Sequence, residues 1–108
     1  MSIRVSPIEP CTSIEQVRSQ IDRIDQQIVA LLAERGAYVK QAAAFKVSTD
    51  DVRAPQRVEQ VIGKVVALAH AVGANPAVTE QVYRAMIAGY IDSELAEHAA
   101  LQSAAVQA

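Results

Sequence analysis

From Ile14 to Val39 the apolar residues recur every three or four positions: Ile14, Val17, Ile21, Ile24, Ile28, Leu31, Leu32 and Val39. That spacing lays them along one face of an α-helix. No proline interrupts the run, and Gly36 is its only glycine. The pattern predicts a single helix over about 13–46, roughly 50 Å long at the helical rise. A compact monomer of this 108-residue chain would have a radius of gyration of about 13 Å, hence a diameter of roughly 34 Å. Such a helix overhangs that body by several turns, and two shorter helices in one chain cannot cover its whole apolar stripe. A second copy can, so the expected assembly is an intertwined homodimer. The alternative is a break near Gly36.

The helix has a start signal in Thr12-Ser13-Ile14-Glu15, which reads as a capping box. Before it, residues 1–11 carry Pro7 and Pro10 and read as an extended arm. After it, Val47–Arg53 reads as a polar loop. Pro55 then opens a second helix in the first turn, where a missing amide is tolerated. Val58, Val61, Ile62, Val65, Val66, Ala69 and Val72 form its apolar face, and Gly73 is the expected stop. Asn75-Pro76 caps a third helix with the stripe Val78, Val82, Met86, Tyr90 and Leu95. The fold class is therefore all-α, with three helices, one of them very long. Its domain plan is an arm over 1–11, a helical domain over 12–99 and a fraying Ala/Gln/Ser tail over 100–108.

Composition narrows the function. Half of the residues, 51%, are hydrophobic, too many for a disordered chain. Ten basic residues face twelve acidic ones, so no broad nucleic-acid footprint is expected. Aromatic residues are 4%, with no tryptophan, which also argues against base-stacking platforms. Cys11 is the single cysteine, unable to form an internal disulfide or a Cys-based zinc site, and it reads as inert. His70 and His98 lie far apart, with no acid at metal-site spacing. Each reads as a partly exposed helix residue, and no metal is expected. No apolar run approaches a membrane span and the N-terminus lacks an apolar signal core, so the expected setting is cytoplasmic, with no membrane partner.

The basic residues carry the chemistry. Arg35 and Lys46 are eleven residues apart, which on a continuous helix returns to the same face roughly 16 Å along the axis. Arg35 offers a planar fork for a carboxylate, and Lys46 offers a compact point charge. Arg57 follows the loop and is placed to close a pocket for a small anion. Arg18 lies roughly 25 Å from Arg35 on the same helix, too far to serve one small ligand from one chain. By spacing alone, a solvated charged face explains these residues better.

The stretches Arg18-Ser-Gln-Ile-Asp-Arg-Ile-Asp25, Leu-Leu-Ala-Glu-Arg35, Tyr38-Val-Lys40, Phe45-Lys46 and Ala54-Pro-Gln-Arg-Val58 change that balance. Together they resemble the all-helical chorismate mutase family, and within it especially the isochorismate-pyruvate lyase branch, over residues 12 to about 97. The resemblance implies an interlocked dimer with two sites. Each site would take Arg18 from the partner chain and Arg35, Lys46 and Arg57 from the other. It implies catalysis by Lys46, Glu94 and Arg35 without a cofactor, on chorismate or isochorismate. Lys46 would meet the negative charge that develops on the breaking ether oxygen. Arg18 and Arg35 would hold the two carboxylates. Glu94 aligns where the family offers a glutamine to that oxygen, and Tyr90, one turn earlier, would line the pocket. Tyr38 and Tyr83 read as core.

Two departures point in opposite directions. Where mutases of the family often place acids near the ring hydroxyl, this chain has Ala54 and Val58, which favours the lyase that makes salicylate and pyruvate. Glu94 favours the mutase, because some mutases use Glu there. Only the protonated acid donates to an ether oxygen, so mutase activity is expected to fall as pH rises. The expected function is chorismate mutase, converting chorismate to prephenate, with isochorismate-pyruvate lyase as the alternative. A non-catalytic helical dimer with an inherited anion pocket, acting as a regulatory module, is a third reading.

Overall fold

The computed structural model describes residues 3–107, with side chains described as far as residue 100. Residues 3–11 have no regular secondary structure. Four helices follow: α1 (Ile14–Ala43), α2 (Thr49–Arg53), α3 (Pro55–Val72) and α4 (Pro76–Gln107), with no strand among the described residues. The all-α class and the three long helices match the sequence pattern. The short α2 and several boundaries do not.

Helix α1 runs 30 residues without a break at Gly36, roughly 45 Å at the helical rise. Its cap lies one residue later than Thr12. The Ser13 hydroxyl accepts from the Gln16 amide at 3.2 Å, and the Gln16 side-chain oxygen accepts from the Thr12 amide at 2.8 Å. The two bonds satisfy two backbone donors, as the expected Thr-x-x-Glu box would, with Gln16 reaching the amide just before the cap. Glu15 remains in the first turn, beside the positive end of the helix dipole.

At its far end α1 stops at Ala43, short of the expected 46. The amides of Ala44, Phe45 and Lys46 then donate to carbonyls three residues back, at 3.2, 3.0 and 3.1 Å. This tightening satisfies part of the helix's open carbonyl end. Lys46 therefore lies beyond the helix, and the helical-face argument that paired it with Arg35 does not apply.

The expected polar loop contains α2. The Ser48 hydroxyl accepts from the Asp51 amide at 3.1 Å, and Asp51 Oδ2 accepts from the Val47 amide at 3.0 Å. Asp50 and Asp51 sit in the first turn, where the dipole favours acids. Ala54 joins α2 to α3 in the left-handed region, φ 39°, and its amide donates to Asp50 at 2.8 Å. A side chain is strained there, and the residue is held in place by that bond and by Pro55 beyond it.

The chain divides into two compact units, Met1–Val39 and Lys40–Ala108. In the second, α3 and α2 both pack on α4. Ile62, Val65 and Ala69 recur along one face of α3 and are buried, together with Val52 of α2. Each buried Val or Ile contributes on the order of 2 kcal/mol. Ala69, at 2% exposure, is small enough to let helices approach closely. Gly73, at φ 78°, ends α3 as expected, its amide and that of Ala74 both returning to the Ala69 carbonyl. Asn75 Oδ1 caps α4 by accepting from the Ala77 and Val78 amides.

Helix α4 is 32 residues long, so two helices and not one are very long. Its backbone stays helical to Gln107, through the Ala-rich tail expected to leave the helix near 100, because alanine is the best helix former. The expected stripe holds at Met86, Tyr90 and Leu95, which are half-buried, and departs at Val78 and Val82, which are exposed, while Tyr83, Ile87 and Ile91 are half-buried beside it. In the first unit no residue of α1 is buried: Ile14, Ile21, Ile24, Ile28 and Leu31 are exposed, and so is Tyr38, which was expected in the core.

Arg84 fastens α4 to α3. Its two terminal nitrogens donate to the two carboxylate oxygens of Glu59 at 2.9 Å each, and its Nε donates to Glu80 at 2.8 Å. Hydrogen bonding from Arg84 holds the Glu59 carboxyl below its ordinary value of 4.5. A depressed carboxyl contributes stability above that value and loses it as pH falls through the lowered one. All three groups are largely exposed, so the effect is small. Glu59→Gln is expected to lower the melting temperature slightly at pH 7. Melting curves of mutant and parent should converge as the pH falls below 4.5, and a gap that persists in acid would count against the pairing.

Candidate active site

Lys46 and Glu94 are 48 positions apart in sequence and meet in space: Lys46 Nζ donates to Glu94 Oε2 at 3.0 Å. The tight turns after α1 carry Lys46 to this point, and α4 carries Glu94. The side chains are 23% and 10% exposed, so the pair is shielded from water and its attraction is stronger than at a free surface. Each is the other's charge compensation, and removing one would leave the second with its solvation cost unmet.

The pair lies in the wall of a cavity of about 210 Å³. The end of α1 contributes Lys40 and Ala43 to the lining, the turn after it Ala44, and α2 Val52. Helix α4 contributes Glu94 and, one turn on, Glu97 and His98. The volume is below the range of about 300–1,000 Å³ for drug-sized ligands and suits a smaller molecule. The lining combines small apolar side chains with charged ones. Among the described residues no group of three His, Cys, Asp or Glu is placed to hold a metal, and no helix is long and apolar enough to cross a membrane.

Of the residues expected from sequence to form a site, the structure brings Lys46 and Glu94 together. Tyr90, one turn before Glu94, is half-buried but does not line this cavity, and neither does Arg57, which is exposed at the start of α3. Arg18 and Arg35 both belong to α1 in the first unit, exposed and half-buried respectively. The continuous helix keeps them roughly 25 Å apart. Six of the eight described lining residues were not expected at the site, His98, Lys40 and Val52 among them. His98 is the partly exposed helix residue expected, and its place four after Glu94 puts both on one helical face. Lys40 sits one turn before the end of α1. Val52 carried no signal, because its role depends on α2, which is too short for periodicity to register.

A family model described as Chorismate mutase type II matches residues 17–95. That span takes in most of α1, both α2 and α3, and α4 to just past Glu94. The chain belongs to the type II chorismate mutase family. Within reach of it is a protein named isochorismate pyruvate lyase, from Pseudomonas aeruginosa. The two are 34% identical over 87 residues, which cover 81% of this chain and 86% of that protein.

If the Lys46–Glu94 pair is a working unit, the two residues are energetically coupled. Chemical denaturation of Lys46→Ala, Glu94→Gln and the double mutant is expected to give a coupling of about 1 kcal/mol or more. The double mutant should recover part of what Lys46→Ala loses, since the amide leaves no uncompensated charge. Strictly additive effects would place the two side chains apart in solution.

Proposed function

We propose that this protein is a chorismate mutase, an isomerase converting chorismate to prephenate by a concerted pericyclic rearrangement, and that it acts as a homodimer. The observation that carries the reading is the half-buried Lys46 ammonium in the wall of a small cavity, backed by Glu94. The reaction needs no nucleophile and no redox step. Electron density shifts onto the breaking ether oxygen, so a fixed cation beside that atom stabilises the transition state more than the ground state. Lys46 supplies that cation. In the free protein Glu94 accepts from Lys46 and holds the ammonium in place beside the ether oxygen's position. Arg35, Arg57 and the partner's Arg18 hold the carboxylates, so that the side chain folds over the ring. Tyr90 borders the site once it is complete. A millionfold acceleration needs about 8 kcal/mol, within reach of orientation and fixed charge.

The dimer rests on α1. Its apolar stripe is exposed along the length of the helix within one chain, and a contiguous apolar face of that kind calls for a cover. A second copy supplies one of the same length and pattern, and brings its own Arg18.

A second reading, isochorismate-pyruvate lyase, is favoured by Ala54 and Val58 standing where acids would receive a hydroxyl of chorismate, and by the name of the Pseudomonas aeruginosa relative. Purified protein given chorismate and isochorismate separately distinguishes the two. Prephenate from chorismate is the expected result, salicylate with pyruvate from isochorismate supports the lyase, and no product from either rejects both. On the converted substrate, Lys46→Ala should reduce kcat by on the order of 100-fold or more, about 3 kcal/mol, with a much smaller rise in KM.

The shared site makes a separate prediction. Arg18→Ala and Arg35→Ala chains, each inactive, should regain activity when mixed and refolded, because one site of the mixed dimer lacks neither residue. Mixed dimers that form and stay inactive would rule out the cross-chain arrangement.

A further inference from the structure

Four lysine and glutamate side chains line the cavity, and the proposed chemistry uses two of them. Lys46 and Glu94 are paired and shielded, at 23% and 10% exposure, so their charges largely cancel for anything still outside. Lys40 and Glu97 line the same space but are exposed. Neither of these two makes a hydrogen bond or ion pair with another described residue. The cavity therefore has an inner charge pair that is spent and an outer cation and anion that are not.

Lys40 has a local reason for its place. It lies in the last turn of α1, where the carbonyl end of the helix favours a cation. That reason does not account for its sharing a cavity with Lys46. The two lysines are six positions apart, and they line one space because α1 ends at Ala43 and tight turns follow. No arginine lines that space among the described residues, so Lys40 is the one lining cation left unpaired. A charge at the mouth of a cleft raises the local concentration of an oppositely charged ligand. A carboxylate held at such a point, away from the breaking bond, is held equally in the ground and transition states. That contact strengthens binding without speeding the chemistry. Glu97, of the same sign as the ligand, works against it.

We propose that Lys40 is a substrate-binding residue that takes a carboxylate of the incoming dianion at the exposed side of the cavity. Glu97 opposes it and limits how tightly that carboxylate is held. The inference rests on the function proposed above. Lys40 takes no part in breaking the ether bond, which is left to Lys46.

The test uses the full-length protein, at one pH, with whichever of chorismate and isochorismate it converts. Lys40→Gln is expected to raise KM about three- to fivefold with kcat nearly unchanged, the size usual for one exposed charge pair. Lys40→Arg should stay close to the parent. Glu97→Gln should move KM the other way, lowering it about twofold. The effect of Lys40→Gln should shrink as salt is raised from about 0.02 to about 0.3 M, because exposed charges are screened. An unchanged KM in Lys40→Gln would overturn the inference, as would shifts of the same sign in Lys40→Gln and Glu97→Gln. A lower melting temperature with KM unmoved would leave Lys40 its helix-end role alone, and also overturn it. A parent protein that neither converts nor binds either isomer overturns the proposed function and this inference together. A parent that converts one isomer while Lys40→Gln leaves its KM unmoved overturns the inference alone.

Discussion

The hydrogen-bonded ion pair between Lys46 Nζ and Glu94 Oε2 draws the segment leaving α1 onto the middle of α4. Around that contact the other parts of the cavity take their places. The tight turns after Ala43 aim Lys46 inward, α2 brings Val52 underneath, and the turn of α4 beyond Glu94 supplies His98. The same contact holds two opposite charges ready in a partly dry setting. Neither charge is free, so on the proposed function an incoming dianion would compete with Glu94 for Lys46. That competition favours ligands able to repay the ammonium with a developing charge of their own.

The frame behind the pair is modest. Its buried core consists of Val52, Ile62, Val65 and Ala69, with no fully buried large side chain among the described residues. What holds α3 against α4 is this short apolar seam together with the forked Arg84–Glu59 contact at the surface. At a few kcal/mol per buried side chain, so small a seam leaves a single chain with little margin. The exposed isoleucines and leucines of α1 hold the larger reserve of apolar area. On the dimer reading, burying them is what makes the molecule stable and what completes the set of arginines.

Much of the fold was legible because the signals are local. The apolar spacing of α1 needs only helical geometry, and Gly36 did not break it. Gly73 and Asn75-Pro76 mark a stop and a start through backbone chemistry that any context would honour. The misreadings come from competition between local signals or from the lack of one. Ser13 and Gln16 took the cap from Thr12 and Glu15, since both pairs satisfy the rule and lie one residue apart. Helix α2 had its cap in Ser48 and its acids in Asp50 and Asp51, but at five residues it left no period to detect. The face of α4 was misjudged in part because apolar residues occur nearly all around that helix. Met86, Tyr90 and Leu95 lie on the expected face, and only packing against α3 chooses Tyr83 and Ile87 over Val78 and Val82.

The candidate site divides along the same line. Lys46 and Glu94 were each singled out in the sequence through motifs that resemble one family, and the family match agrees with that resemblance. Their partnership was not legible, because a contact across 48 positions leaves no periodic trace. Nor was the position of Lys46 past the end of its helix, since whether a last turn stays α-helical or tightens depends on what its side chains meet. The sequence by itself determined the helices, the stops between them and the residue types available for binding a small anion, all of which follow from local backbone geometry and side-chain chemistry. The tertiary structure decided which of those residues share a cavity. It left Tyr90 and Arg57 out of that lining and brought His98 in, because a cavity forms only where separate helices leave a gap in their packing.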